Sequence, residues 1–230
     1  MSEYLYLHGF ASGPQSRKAQ YLCDRFRENH RTLSILDLNQ GDFSHLTLTR
    51  QIHQTQAAFP NATTPVVLIG SSFGGLTVTW VAEKYPQVER IICLAPAFGF
   101  LAHWLPTLTP SELTQWQETG YRPVYHHQEQ REIPLHYGFI EDLQQYSEQQ
   151  LERPVPTLIL HGIHDEVIPI TASRDYCQAR PWAELIELDS DHSLGNVLPQ
   201  IGQEIQQWLA KKVLANCREA PRSPDREAPG

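Results

Sequence analysis

Gly70-Ser71-Ser72-Phe73-Gly74 lies between an apolar run, Val66–Ile69, and a helix-like stretch that continues through Leu76 to Tyr85. A serine at such a strand-to-helix turn is held in a strained backbone conformation, and the glycines two before and two after it let strand and helix pack closely. Ser72 fits the central position; Ser71 does not, because position 73 is Phe. The turn also sets the Phe73 amide and the start of a helix beside Ser72, where developing negative charge would be stabilised.

The pattern around this turn sets the fold class. Tyr4–His8, Thr32–Leu36, Val66–Ile69, Arg90–Ala95, Thr157–His161 and Glu184–Leu188 have the apolar character of strands. Helical spacing fills Ser16–Asn29, Leu46–Phe59, Phe73–Tyr85, Ala172–Ala179 and Ile201–Leu214. In the first of these, Ala19, Leu22, Cys23 and Phe26 fall on one helix face; in the last, Ile201, Ile205, Leu209 and Val213 recur every fourth residue. This alternation predicts an α/β fold, a mostly parallel sheet of about six strands covered on both faces. A chain of 230 residues with 40% hydrophobic and 19% charged residues suits one such domain, expected over residues 1–215.

Two stretches break the rhythm. Phe98–Arg153 separates two buried-type strands and holds nine of the 22 aromatics, with eight Gln and four His. It is expected to form a helical cap over the sheet, residues 98–153, since a crossover needs far fewer residues. Residues 216–230, CREAPRSPDREAPG with its preceding Asn, have no periodicity and read as a disordered tail.

A serine needs a base near pH 7, and the base needs an orienting acid. On sheets with this turn the chain order is Ser, acid, His. The strand Thr157–His161 runs into a Gly turn that delivers Asp165 to the sheet edge expected for Ser72. The loop after the next strand, Asp189-Ser190-Asp191-His192, delivers His192. Both positions follow carboxyl ends of strands, where open α/β sheets place their sites. Asp189 and Asp191 compete with Asp165 for the acid, but they flank His192 on its own loop. His161, His164 and Asp165 can be read as a small metal cluster, yet the pair lacks helical HExxH spacing and a further ligand; no metal is expected. By topology the second oxyanion donor is the backbone N–H of Phe10, after the first strand. The cap aromatics Trp104, Trp116 and Tyr121 are expected to line the substrate pocket.

These motifs resemble the α/β-hydrolases and, more narrowly, the small bacterial esterases of the YqiA/YcfP type. The similarity is carried by YLHGF, GPQSRKAQYL, GSSFGG, HGIHDEVIP and SDHSL, spread over roughly residues 3–200. It implies Ser72 as nucleophile, Asp165 as acid and His192 as base, the Phe10 and Phe73 amides as oxyanion hole, and no cofactor. The implied reaction is hydrolysis of small carboxylic esters, with thioesters as an extension. The alternatives are acyl transfer on the same residues and a non-catalytic binding module that keeps the pocket.

Composition narrows the partners. With 18 basic against 26 acidic residues, the net charge of −8 argues against nucleic acid or anionic membrane. The longest nearly unbroken apolar run, Ile91–Ala102, holds Pro96 and Gly99 and is too short to span a bilayer. MSEYLYLHGF reads as a first strand instead of a signal peptide. Cys23, Cys93, Cys177 and Cys217 form no CxxC pair and are expected to be reduced thiols of a cytoplasmic protein. The oligomeric state is left open.

Overall fold

The structure, a computed structural model, describes residues 2–211. Its six-stranded sheet is parallel throughout and combines β1 (Glu3–Leu7), β2 (Leu33–Leu36), β3 (Val66–Ser71), β4 (Val88–Leu94), β7 (Thr157–Gly162) and β8 (Ala183–Leu188). The spatial order is β2-β1-β3-β4-β7-β8. All six expected strands are present, displaced by at most two residues at either end.

Each strand alternates its side chains between two cores. In β1, Leu5 and Leu7 enter one cluster and Tyr6 the other. The Tyr6 side is closed by α1 (Arg17–Glu28) and α8 (Leu198–Ala210) through Ala19, Leu22, Phe26, Ile201, Ile205 and Trp208. Cys23, expected on the α1 core face, is only half-buried. The opposite side is closed by α2 (Leu48–Ala57), α3 (Phe73–Lys84) and α7 (Ile170–Gln178). Ten of the twelve α3 residues are buried, as expected of a helix apolar on every side.

The order reverses at β1: the chain leaves it to form β2 on one side and returns to form β3 on the other. Open α/β sheets bind ligands at such a switch point, beyond the carboxyl ends of the strands. The Gly9-Phe10 loop follows β1 and Ser72 follows β3, so both stand at this crevice.

Between β4 and β7 the chain forms α4 (Phe100–Trp104), α5 (Pro110–Thr119), an antiparallel hairpin of β5 (Tyr121–His126) and β6 (Arg131–His136), and α6 (Gly138–Leu143). The hairpin departs from the helical expectation. Pro123 faces Pro134 in the ladder, and neither can donate to it. A proline in each run therefore masks the strand signal, while the alternating burial of β5 reveals it. The α5 boundaries are written locally, by a Thr109–Glu112 capping box and a left-handed Gly120.

The expected tail, residues 216–230, and Cys217 lie outside the described residues. Among those described, Cys23, Cys93 and Cys177 are free thiols, and no helix is long and apolar enough to cross a membrane.

Candidate active site

The turn after β3 has the geometry its sequence implies. Ser72 sits at φ 53°, ψ −118°, a region that L-residues rarely occupy. It is held there from the β4 side: the Ser72 amide donates to Leu94 O (2.9 Å), and Ser72 O accepts from the Ala97 amide (3.0 Å). A Cβ on Gly70 would collide with the Gly74 carbonyl, and one on Gly74 with the Leu7 carbonyl. Glycine at these two positions lets β1, β3 and α3 converge under the serine.

The Ser72 Oγ lies 3.0 Å from His192 Nε2, and His192 Nδ1 lies 2.7 Å from Asp165 Oδ2. Two facing loops set this alignment. The Ile163 and His164 amides donate to Leu188 O and Ser190 O, and Gly162 has no side chain to block that approach. Within the His192 loop, Asp191 Oδ1 accepts from the Ser193 and Leu194 amides. Asp191 is thus spent on its own turn, and Asp189 is exposed and pairs with His164. The structure brings neither to His192 Nδ1.

Asp165 is fully enclosed, while His192 keeps a side-chain exposure of 18%. Burial alone would raise the Asp165 carboxyl. Contacts from His161 and His192 and the Ile168 amide outweigh it and hold the group far below the usual carboxylate range. Its other oxygen accepts from the Val167 and Ile168 amides at 2.9 and 2.8 Å. His161 was legible only as half of a metal pair. In the fold it stands behind Asp165, its Nε2 3.0 Å from Oδ2 and its Nδ1 2.7 Å from Ser173 Oγ. Among the described residues no cluster of three or more acidic, His or Cys side chains is arranged to hold a metal ion.

Of the two amides named for the oxyanion hole, one follows Ser72 directly and the other belongs to a residue lining the same cavity. Phe73 is the first residue of α3, so its N–H has no acceptor within the helix. A Cβ on Gly9 would lie 3.3 Å from Ser72 Cβ, which puts the Gly9-Phe10 peptide against the serine side chain. The Phe10 ring is fixed among Phe43, Phe73, Phe100, Trp104 and Phe139, at centroid distances of 5.3–6.2 Å. His8 braces the same loop: its Nδ1 is 2.9 Å from Gly9 O, and its Nε2 accepts from the Leu38 amide.

A cavity of about 410 Å³ opens over Ser72 and His192. Its wall corrects the expected lining, since Trp104, Trp116 and Tyr121 are not on it. Trp116 is buried and its indole N–H donates to Leu135 O; it belongs to the core of the inserted segment. Trp104 packs on Phe10 and Trp116, and Tyr121 is exposed, bonded through its hydroxyl to His45. The inserted segment reaches the cavity instead through His127, at the hairpin turn, where the His127 amide donates to Ala11 O. Tyr6, Arg17 and Lys18 also line the cavity; they fall in the YLHGF and GPQSRKAQYL stretches that carry the family resemblance, which assigned them no role. A larger cavity, about 610 Å³, opens between Phe98, Glu148, Tyr176 and Arg180 but contains none of the three aligned residues.

Comparisons with known proteins give the family and the fold. The profile described as "Uncharacterised protein family (UPF0227)" matches residues 3–209. Pimeloyl-[acyl-carrier protein] methyl ester esterases from two Xylella fastidiosa strains, 9a5c and M23, are each 34% identical over 119 and 115 residues. Each alignment covers 49% of this chain and 44% of the relative, so the chain spans under half the length of these curated relatives. Among solved structures, mouse alpha/beta hydrolase domain-containing protein 10 aligns with a TM-score of 0.73 at 18% identity, over 90% of this chain and 89% of that one. Est1E from Butyrivibrio proteoclasticus with ferulic acid bound aligns with a TM-score of 0.72 at 17% identity, over 91% and 88%. At such identities the likeness is one of fold. The chain therefore belongs to the UPF0227 family, the YqiA-like group its motifs resemble, and has the α/β-hydrolase fold.

Proposed function

We propose that the protein is a serine hydrolase that cleaves carboxylic esters through an acyl-enzyme on Ser72. The observation that carries this reading is the unbroken chain Ser72 Oγ–His192–Asp165, with links of 3.0 and 2.7 Å, at the floor of an open cavity. The named activity of the relatives matched over under half their length, hydrolysis of a methyl ester, supports the same reaction class.

In this mechanism Ser72 Oγ attacks the ester carbonyl while His192 Nε2 takes its proton. The carbonyl π electrons move onto oxygen, where the Phe10 and Phe73 amides donate to the oxyanion. The intermediate collapses by breaking the bond to the alcohol oxygen, which leaves with the proton from His192. Water then repeats the sequence on the acyl-enzyme and releases the carboxylic acid and Ser72. Asp165 stays ionised, holds the Nδ1–H tautomer and stabilises the imidazolium that forms twice per turnover.

The test uses activated nitrophenyl esters of graded acyl length and a serine-directed organophosphonate. Ser72→Ala lowers kcat by several orders of magnitude while leaving the protein folded, and the label adds once, on Ser72. An adduct on Ser71, or full activity of the alanine variant, overturns the reading.

A further inference from the structure

Two features of the Ser72 cavity are not used by the ester-cleavage steps. The first is a pair of cations. Arg17 is exposed at the rim and Lys18 is half-buried, both on the wall shared with Ser72 and His192. Among the described residues neither side chain is in a salt bridge. Burial pushes the Lys18 ammonium down to about 8, against the pull of Asp165 and Asp191. Those two carboxylates are committed elsewhere, Asp165 to His192 and His161 and Asp191 to its own turn.

The second feature is the helix that carries these cations. Arg17 and Lys18 are the first two residues of α1, a 12-residue helix with no acidic residue in its first turn. Ser16, its N-cap, makes no side-chain capping bond and itself lines the cavity. A helix N-terminus bears partial positive charge, so basic side chains there are disfavoured unless an anion faces them.

We infer that this wall is an anion subsite: the ester taken by Ser72 carries a second, negatively charged group, held by Arg17 and Lys18 at the start of α1. The inference rests on the reading of Ser72 as the nucleophile of an ester hydrolase. A cavity of about 410 Å³ is at the small end for ligand sites, so the charge stands only a few bonds from the reacting carbonyl. Carboxylate and phosphate share the required chemistry.

The experiment measures kcat/KM on matched nitrophenyl esters: butyrate, its charged counterpart hemisuccinate, and a phosphonopropionate of similar length. The unmodified protein prefers one of the charged esters at least tenfold, and which one identifies the anion. Lys18→Met reduces that preference at least tenfold, mainly through KM, and Lys18→Arg retains it. Parallel losses on neutral and charged esters in Lys18→Met would assign Lys18 to support of Asp165 and Asp191 and overturn the subsite, as would a preference for butyrate in the unmodified protein. If no ester is cleaved at all, the Ser72 reading fails, and calorimetry with succinate and inorganic phosphate decides the subsite alone. Binding that weakens at least tenfold in Lys18→Met upholds it; absence of binding to the unmodified protein overturns it.

Discussion

His161 Nε2 stands 3.0 Å from Asp165 Oδ2, the same oxygen that meets His192 Nδ1 at 2.7 Å. The enclosed carboxylate is thus shared between a histidine facing the serine and one facing the core. His161 also bonds Ser173 and the Ile168 carbonyl, so its ring is fixed at both nitrogens.

Removing the inner histidine leaves the charge of Asp165 with one fewer donor in a site that water does not reach. Loss of a hydrogen bond to a buried charge costs about 1.5–3 kcal/mol. His161→Ala is therefore expected to lower unfolding stability by about that amount, plus a cavity contribution. It should also lower kcat, because Asp165 becomes less firmly placed. Urea unfolding and steady-state kinetics check the pair of outcomes; unchanged stability would mean that the contact contributes nothing.

The three candidate acids separate by substitution. Asp165→Asn should lower kcat on the order of 10⁴-fold if it fixes the His192 tautomer as triad aspartates do. Asp191→Asn loosens the turn that carries His192 and should cost far less. Asp189→Asn should be close to neutral, since the only described partner of its side chain is the exposed His164. A larger loss at Asp191 than at Asp165 would move the acid to the His192 loop.

What was legible in the sequence was what local chemistry fixes. The turn at Ser72 needs glycine at 70 and 74 for steric reasons that recur wherever this geometry occurs, and the strand and helix on either side are strongly patterned. Asp165 and His192 were legible through order and position after strands. The hairpin was hidden because Pro123 and Pro134 each weaken a strand reading, though paired they fit the ladder. Trp116 was misplaced because an aromatic-rich insertion has the same composition whether its rings face a ligand or each other. Lys18, at a helix start, comes to the wall of the Ser72 cavity only through folding, and sequence spacing does not reveal that. His161 had the right neighbours for the wrong chemistry.

His8 links acid stability to the Phe10 loop. It is buried, and its Nε2 accepts from the Leu38 amide at 3.2 Å, a bond that protonation would abolish. Burial lowers its pKa from 6.5, while the Gly9 carbonyl and Asp37 pull the other way. The unfolded chain then takes up a proton near pH 6.5 that the folded chain refuses. Stability from this group is present above that value and is lost as pH falls below it, towards the lower folded value. His126, also lowered by burial, adds to the same slope. Unfolding free energy should decline from about pH 7 to about pH 5, by at most about 1.4 kcal/mol per pH unit for each group. His8→Gln, which keeps an acceptor for Leu38, should be less stable near neutrality but show a shallower decline. An equal slope in the variant would remove His8 from the account.

Ser72 itself stores strain that can be released. Its φ of 53° with ψ of −118° is imposed by the bonds to Leu94 and Ala97 and by the packing of Gly70 on Gly74. Such a conformation costs about 1–3 kcal/mol for a residue with a Cβ and little for glycine. Replacing alanine by glycine also frees the unfolded chain, which opposes the gain by about 0.4–1 kcal/mol. The balance favours glycine. Ser72→Gly should therefore be more stable than Ser72→Ala by about 0.5–2 kcal/mol, although both lack the hydroxyl. For a chain of this length that corresponds to a Tm higher by roughly 1–8 °C. Comparing the two variants, and not either with the unmodified protein, cancels the loss of the Ser72–His192 hydrogen bond. Calorimetry on both under one condition reads the difference directly. An alanine variant at least as stable as the glycine variant would mean that the turn is not strained, and that its glycines serve only the close approach of β1, β3 and α3.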